Sequence, residues 1–376
     1  MTNKLTIHEL AEISKQIIRY NQHSSGGYIA CPLFVHYGFS WLRDGSFIAN
    51  AMDTAGETAS SELFHGWVNR VVARQKDHIE QLLQRHARGE AIGEHEFLHT
   101  RYHLDGRDDK NSEWGHFQLD GYGTWLWGLA EHLRAAGASA LPDTYKVSAE
   151  LTVRYLGAFW KLPNFDCWEE RNDQVHPSTL ACIYGGLSAI EPYLEIPGIT
   201  ETIHNIRQFL LERCVHPESG HIVKSLRPVP GEDRYEFVHD GVDASLMWLC
   251  RPFGVFAADD PVMAATIQKI RTDLRTPQGG VRRFPGDEYY GGGEWILLTA
   301  WLGWIETELN RRDEAEAALA WIARQADELG RLPEQVPNAL LSMDTYEGWV
   351  NRWGPPASPL LWSHAMYLVL YSQLYR

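Results

Sequence analysis

The sequence predicts an all-α protein whose helices pair into a closed ring, the (α/α)6 barrel, a toroid of about six helical hairpins. Segment after segment carries apolar residues at three- and four-residue spacing, which is the period of an amphipathic helix. The period-two alternation of strands is rare. Gly and Pro mark the breaks, and short and long connections alternate between them. Helices joined by short loops pack as antiparallel neighbours, and about a dozen such helices can close into a ring.

The helical segments follow one another along the whole chain. The N-terminal stretch MTNKLTIHELAEISKQII reads as a first helix because acidic residues interrupt its apolar positions. The later helices are predicted at 57–88, 121–136, 145–160, 178–194, 200–213, 260–274, 294–310, 313–329 and 357–375. No low-complexity linker separates them, so we expect residues 1–376 to form one domain.

Composition and charge exclude several classes of protein. The net charge of −15 argues against a nucleic-acid partner and against an anionic membrane surface, both of which need a basic face. The N-terminal stretch has no apolar core of a signal peptide, and no segment is long and apolar enough to span a bilayer. The five cysteines are scattered without a CxxC pair, which argues against a disulfide framework. We therefore expect a cytoplasmic protein without a membrane partner.

Metal and cofactor motifs are weak. His95, His99 and His103 stand at four-residue spacing and could share one helical face, as zinc ligands do. No HExxH follows them, and a solvated histidine face explains the spacing as well. No phosphate-binding glycine loop and no GxSxG elbow is present. We expect neither a metal site nor a cofactor.

Aromatic and acidic residues give the first indication of chemistry. Fifteen tryptophans suit a large core, but they also suit a sugar site, where a flat ring packs on the apolar face of a pyranose. Trp168 precedes two neighbouring carboxylates, Glu169 and Glu170. Like charge and an apolar neighbour both raise a carboxyl pKa, as a general acid requires. The alternative is a solvated acidic helix start.

Four further segments carry polar and aromatic residues in loops. Arg43 and Asp44 adjoin Tyr37 and Trp41 and could hold hydroxyl groups, or Asp44 could simply be a helix N-cap. The other segments contain Trp114 before Asp120, Arg283 before a glycine-rich stretch and Trp295, and Glu334 after Pro333 with Trp362 downstream. Asp120 suits a cap for the helix at 121–136.

Taken in order, these segments resemble glycoside hydrolase family 15, the glucoamylase-like enzymes. The matches run from Tyr37 to Trp362, and the family fold is an (α/α)6 barrel. The resemblance implies that Glu169, the first glutamate of Trp-Glu-Glu, is the general acid. It implies that Glu334, in Pro-Glu-Gln, is the general base, and that Tyr37 lies near the catalytic water.

The same resemblance implies a set of substrate-binding residues. Arg43 and Asp44 match the pair that holds the non-reducing glucose, and Glu170 matches a residue of the adjoining subsite. Phe284 stands where the family's Arg-Tyr-Pro motif has tyrosine. The substrate-binding positions are Trp41, Arg43, Asp44, Trp114, Trp168, Glu170, Arg283, Trp295 and Trp362.

The implied reaction is single displacement at the non-reducing end of a short α-gluco-oligosaccharide. Inverting enzymes hold their two carboxyls roughly 6.5–9.5 Å apart, so that water can attack, and an α-glucoside would release β-D-glucose. The sequence shows no separate β-sandwich or starch-binding domain, which favours a small isomaltose-like α-1,6 substrate over starch. Residues 291–295 read Gly-Gly-Gly-Glu-Trp where many relatives have Asn-Pro, so α-1,4 and α,α-1,1 linkages stay open. A monomer is favoured.

Two other classes of protein remain possible from the sequence. A sugar epimerase of the N-acylglucosamine type would share the toroid and use histidines such as His36, His116 and His364 as acid and base. A carbohydrate-binding toroid without catalysis would be expected to lose a catalytic glutamate. Both glutamates are present, which favours the hydrolase.

Overall fold

The computed structural model describes residues 5–109 and 114–375, and these ranges contain thirteen α-helices. The helices are α1 Ile7–Tyr20, α2 Leu42–Thr54, α3 Thr58–Arg74, α4 Lys76–Ala87, α5 Asp120–Ala135, α6 Asp143–Phe159, α7 Pro177–Ile190, α8 Ile199–Arg213, α9 Pro261–Asp273, α10 Ile296–Glu308, α11 Arg312–Ala323, α12 Met343–Trp353 and α13 Leu361–Tyr375. None of the described helices combines the length and the apolar character that crossing a bilayer requires.

Six elements close an inner ring. α2 packs on α5, α5 on α7, and α7 on a 3-10 helix at Ala244–Leu249. That short helix packs on α10, α10 on α13, and α13 returns to α2. Most of the remaining helices lie outside against this ring and against one another, as in the pairs α3 with α6 and α1 with α11. The predicted (α/α)6 barrel is confirmed, with one inner position filled by a 3-10 helix.

The inner helices are apolar on nearly every side, because they meet neighbours on both faces. In α10 every residue from Ile296 to Glu306 is buried, and most of α13 is buried too. Outer helices such as α4 bury only one stripe, here Ile79 and Leu82. A helix that is apolar all round belongs inside a protein, so this difference sorts the two rings.

Several sequence expectations differ from the structure in detail. The predicted helix at 57–88 breaks at Gln75 into α3 and α4, and the one at 313–329 ends at Ala323. No helix is predicted from the sequence at α12, although Met343, Tyr346, Val350 and Trp353 recur there at three- and four-residue spacing; the structure forms the helix with none of its residues buried. The N-cap interpretation of Asp44 is wrong: Trp41 is the N-cap of α2, and Asp44 lies in the first turn.

Three short antiparallel ribbons connect the loops. β1 Ser40–Trp41 pairs with β2 Arg101–Tyr102, β3 Ser225–Pro228 with β4 Tyr235–His239, and β5 Glu294–Trp295 with β6 Gln335–Val336. β1 leads directly into α2, and β5 leads directly into α10. These two ribbons therefore fix the backbone immediately before two inner helices.

The core of the ring is a cluster of large aromatic side chains. Phe47 stacks on Trp362 with ring centroids 5.5 Å apart and planes 8° apart, and Trp301 meets Phe47 edge-on at 4.8 Å. Trp248 of the 3-10 helix completes the cluster, 5.4 Å from Trp301. These rings come from four of the six inner elements, and most of the other tryptophans of the protein are buried as well.

The α5–α7 pair approaches closely because glycines face each other. A Cβ atom on Gly186 would lie 2.2 Å from the carbonyl oxygen of Gly123, and one on Gly123 would lie 2.4 Å from the carbonyl oxygen of Cys182. Backbone atoms cannot rotate away as a side chain would. The interaxial distance of these two helices thus depends on the absence of side chains at both positions.

We expect Gly186→Ala to lower the melting temperature and the free energy of unfolding, by about 1–3 kcal/mol or more, the scale of overpacking. Gly157→Ala in α6 is the matched control, because its new methyl group would meet nothing closer than Thr202 Oγ1 at 3.9 Å. Alanine gains about 1 kcal/mol of helix propensity over glycine, so the control should be neutral or stabilising. Thermal and urea unfolding measure both, and equal stability of the two variants would contradict the steric argument.

Candidate active site

One cavity of about 1180 Å³ opens at the end of the barrel where the inner helices begin. All twelve residues singled out from the sequence line it, namely Tyr37, Trp41, Arg43, Asp44, Trp114, Trp168, Glu169, Glu170, Arg283, Trp295, Glu334 and Trp362. They lie in the first turns of inner helices or in the loops that precede them. All inner helices begin at the same end of the ring. The site is therefore formed by their first turns and by the loops that lead into them.

Glu169 occupies a tight turn with a left-handed backbone. Its φ is +66°, and that of Arg171 is +59°, which is uncommon for residues other than glycine. One carboxylate oxygen of Asp166 accepts hydrogen bonds from the backbone N–H groups of Trp168 at 3.0 Å and Glu170 at 2.9 Å. The Asp166 side chain thereby holds the turn that presents Glu169 to the cavity.

The buried side chain of Lys224 stabilises this turn through two aspartates. Lys224 Nζ lies 3.7 Å from Asp166 Oδ2 and donates a hydrogen bond to Asp243. Asp243 accepts a hydrogen bond from Trp168 Nε1 at 3.0 Å and caps the 3-10 helix through the backbone N–H of Ser245. The glutamate turn is thus tied to the inner ring by a buried charge network.

The environment of Glu169 favours the protonated form of its carboxyl group. Its side chain is only 16% exposed, and burial raises its pKa to about 7. Arg43, with Nη2 at 4.0 Å, and a hydrogen bond from Trp41 Nε1 oppose this rise without cancelling it. A carboxyl that is half protonated near neutral pH can serve as a general acid.

Glu334 lies in the loop that follows α11. Its backbone N–H donates to Ala357 at 2.8 Å, and its carbonyl accepts from Ile296 at 3.2 Å. Tyr37 Oη donates to Glu334 Oε1 at 3.0 Å, and Tyr289 Oη lies 3.0 Å from Tyr37 Oη. Burial raises the pKa of Glu334 to about 7, while these tyrosine hydrogen bonds lower it.

Arg43 joins two inner helices to the glutamate turn. Its Nη1 donates to Asp120 Oδ2 at 3.0 Å and to Gln118 Oε1 at 3.1 Å, and its Nη2 lies 3.2 Å from Asp44 Oδ2. Gln118 donates in turn to the Asp166 carbonyl at 2.5 Å. Asp44 is buried, which raises its pKa to about 6 against the attraction of Arg43.

Arg283 forms a second cationic centre in the cavity wall. Its Nε donates to Asp287 Oδ2 at 2.8 Å, and its Nη2 donates to Glu170 Oε1 at 3.3 Å. The guanidinium also lies over the rings of Trp168 at 5.2 Å and Trp295 at 5.3 Å. The pair Arg283–Glu170 thus links two loops that are distant in sequence.

Some buried polar atoms of the cavity wall have no partner among the described residues. They are Glu334 Oε2, Trp295 Nε1, Trp362 Nε1 and Arg43 Nε. A buried polar atom without a hydrogen bond costs about 1–3 kcal/mol, so such atoms mark where a ligand or water completes the bonding. Donors and acceptors between aromatic walls suit a ligand with many hydroxyl groups and apolar ring faces.

Sequence reasoning missed several residues of this site. Asp120 was interpreted as a helix cap, but its carboxylate is the ion-pair partner of Arg43. Lys224 and Asp243 gave no local signal, since their pairing joins loops far apart in the chain. Tyr289 lies in the glycine-rich stretch that was noted without assigning it a role. α12 adds Trp349 and two neighbouring residues to the cavity rim.

The three histidines of the epimerase alternative do not lie together in the cavity. His364 is buried in the core, where Nε2 accepts from the backbone N–H of Leu332 at 3.0 Å and Nδ1 lies 2.9 Å from Ser14 Oγ. It does not line the cavity. His36 and His116 do line it, and burial lowers the pKa of both. Of these three histidines, two thus face the cavity, where burial favours the neutral imidazole, and the third is part of the core.

Residues 8–332 match the protein family Glycosyl hydrolases family 15. The isomaltose glucohydrolase of Kribbella flavida is 40% identical over 375 residues, which cover 98% of this chain and 93% of that protein. A glutamate-to-alanine variant of a glycosidase, solved in complex with glucose, superposes with a TM-score of 0.90 at 39% identity, covering 98% of this chain and 96% of the other.

A bacterial glucoamylase in complex with acarbose shares the fold at lower similarity. The TM-score is 0.69 at 19% identity, over 97% of this chain and 55% of the glucoamylase. The match along most of the chain and the close relative at 40% identity agree with the cavity and its buried carboxyls. The chain belongs to glycoside hydrolase family 15, and it is a glycoside hydrolase.

Proposed function

We propose that the protein is an inverting exo-α-glucosidase that releases β-D-glucose from the non-reducing end of short α-gluco-oligosaccharides, with an isomaltose-like α-1,6 linkage favoured. The observation that carries the proposal is the pair of enclosed glutamates in one cavity, Glu169 and Glu334, whose pKa values burial raises to about 7. As part of this proposal, residues 1–376 act as a single catalytic domain.

In the proposed reaction Glu169 protonates the glycosidic oxygen as the bond to the anomeric carbon breaks. Glu334 takes a proton from a water molecule whose oxygen forms the new bond on the opposite face of the ring. Tyr37, bonded to Glu334, orients that water and stabilises the carboxylate form of the base. The general acid and base are both restored by proton exchange with solvent.

Substrate recognition is assigned to the two cationic centres and the aromatic walls. Arg43 and Asp44 hold the hydroxyl groups of the terminal glucose, with Trp41, Trp114 and Trp362 around its ring. Glu170 and Arg283 bind the adjoining sugar, with Trp168 and Trp295 beside it. Fixed guanidinium donors and carboxylate acceptors suit the vicinal hydroxyl groups of a sugar.

The preference for a small substrate rests on two observations. The relative named isomaltose glucohydrolase matches nearly the whole chain. In addition, α12 adds the side chains of Trp349 and Trp353 to the wall of the cavity. The ring of His36 packs 4.0 Å from that of Trp353, so the N-terminal loop and α12 meet beside the entrance.

Glu169→Gln and Glu334→Gln should each lose at least about two orders of magnitude in kcat on isomaltose, the scale of general acid–base catalysis. The two should separate on α-D-glucosyl fluoride, because fluoride leaves without a proton. Glu169→Gln should keep most of its activity there, and Glu334→Gln should not. Circular dichroism checks that both variants fold, and equal losses on the fluoride would contradict the assignment of acid and base.

Tyr37→Phe should move the acidic limb of the kcat/KM pH profile to higher pH. That limb follows deprotonation of Glu334, and the lost hydrogen bond lowers the Glu334 pKa in the parent enzyme. A hydrogen bond of about 0.5–1.5 kcal/mol corresponds to a shift of about half to one pH unit. Tyr290→Phe is the control, since Tyr290 donates to Gly354 instead. If the acidic limb of the Tyr37→Phe profile stays at the parent pH, Tyr37 does not lower the pKa of the general base.

The anomer released first tests the whole proposal. Proton NMR of isomaltose hydrolysis should show β-glucose before mutarotation, because a single displacement inverts the anomeric centre. Disaccharides should be cleaved with kcat/KM at least equal to that for long maltodextrins. Initial α-glucose would overturn the inverting mechanism. A clear rise in kcat/KM with chain length would overturn the small-substrate preference alone.

A further inference from the structure

A polar cluster lies at the end of the barrel away from the cavity, where the inner helices α2 and α5 meet the outer helix α3. Asp53 lies near the C-terminal end of α2, His132 near the C-terminal end of α5, and His65 in the middle of α3. Arg43 lies in the first turn of the same α2. With a rise of 1.5 Å per residue, it is separated from Asp53 by roughly 15 Å along the helix. The cluster is therefore distinct from the candidate active site.

The three side chains converge with little access to water. One donor atom from each residue lies within 4.8 Å of the other two. His132 Nδ1 lies 3.0 Å from Asp53 Oδ2, and Ser61 Oγ donates to the same oxygen at 2.7 Å. The His132 side chain is 12% exposed and that of Asp53 is 4% exposed. The carboxylate is thus already oriented by a serine outside the group of three.

His65 is the member that the protein alone leaves incomplete. The residue is fully buried, and neither of its ring nitrogens has a hydrogen-bond partner among the described residues. Its ring lies 5.1 Å from that of His132, and Gly128 of α5 leaves room for it, since a Cβ there would meet His65 Cε1 at 3.4 Å. A buried imidazole without any partner costs free energy, so this ring is expected to bind something.

We propose that Asp53, His65 and His132 bind a divalent transition-metal ion, with Zn²⁺ as the best match, which holds α2, α3 and α5 together. Two imidazole nitrogens and one carboxylate oxygen are donors that zinc takes at about 2.0–2.2 Å. Donors on one such ion lie at most about 4.2 Å apart, so the observed spacing closes with small side-chain movements. Ser61 would then be the outer partner that fixes the ligating carboxylate.

The proposed ion has a structural role and takes no part in hydrolysis. It would cross-link the far ends of the same two helices, α2 and α5, that Arg43 and Asp120 join at the active-site end. An ion bound only by the folded chain stabilises the fold in proportion to the logarithm of its concentration over Kd. Removing the ion should therefore lower stability while leaving the reaction mechanism intact.

The test uses the full-length protein, stripped with EDTA and dialysed, with ZnCl₂ as the probe. Isothermal titration should show one equivalent of Zn²⁺ bound with a Kd below about 1 µM, because structural zinc sites bind the ion at least this tightly. The melting temperature should rise on addition of Zn²⁺. Co²⁺ should give the visible absorption of a tetrahedral site. Zn²⁺ binding and the melting temperature are measured without substrate, so failure of the proposed function would leave both results unchanged. If the protein hydrolyses isomaltose, the stripped protein should do so at the parent rate below its melting temperature.

Variants locate the ion. His132→Gln and Asp53→Asn should each weaken Zn²⁺ binding at least tenfold, and His65→Phe should abolish the Co²⁺ spectrum. His216→Gln is the matched control, because the rings of His216 and His221 lie at a similar distance, 5.2 Å, nearer the surface. It should bind like the parent. Absence of one-to-one binding in the parent would overturn the proposal, as would equal losses in His216→Gln and His132→Gln.

Discussion

The balance of buried charge at the mouth of the barrel determines how the rest of the site behaves. Arg43 forms ion pairs with Asp44 and Asp120. Arg283 forms ion pairs with Asp287 and Glu170. Glu169 stands 4.0 Å from Arg43, beyond hydrogen-bond distance. Among the described residues Glu334 has no ion pair within 4.0 Å, and the charge of Arg283 lowers its pKa only from a greater distance. Enclosed carboxyls without a close cation retain protons at higher pH. The raised pKa values of the two glutamates therefore depend on the whole set of pairings around them.

The fold was predictable because its signal is local and repeated. Helical periodicity and Gly or Pro breaks occur within each segment, and the alternation of loop lengths indicates hairpins before any contact is known. What failed was local detail. Gln75 interrupts one long apolar pattern, and Ala244–Leu249 replaces an inner α-helix with a 3-10 helix too short to show a period. α12 carries apolar residues at helical spacing, so this helix was within reach of sequence reasoning. What its sequence does not show is that the helix lines the cavity and leaves none of its residues buried.

The candidate site was predictable where short motifs carry it, as with Trp168 and Glu169, and where a resemblance assigned an isolated residue such as Glu334. The supporting residues were not. Lys224 reaches Asp166 and Asp243 only after the ring closes, and nothing near it in sequence anticipates a buried ion pair. The same limit applies to Asp53 and its two histidines, which come from three separate helices. Long-range partners of this kind emerge only from the folded structure.

Closure of the ring by α13 against α2 has a consequence for biosynthesis. α13 is translated after the other five inner elements, and it brings Trp362, on which Phe47 stacks. Until α13 is made, Phe47 and Trp301 lack the ring of Trp362 that covers them in the folded barrel. Exposed apolar surface on an incomplete chain promotes aggregation and chaperone binding. The nascent barrel is thus most vulnerable just before its final helix emerges, and the candidate active site is completed only at that step.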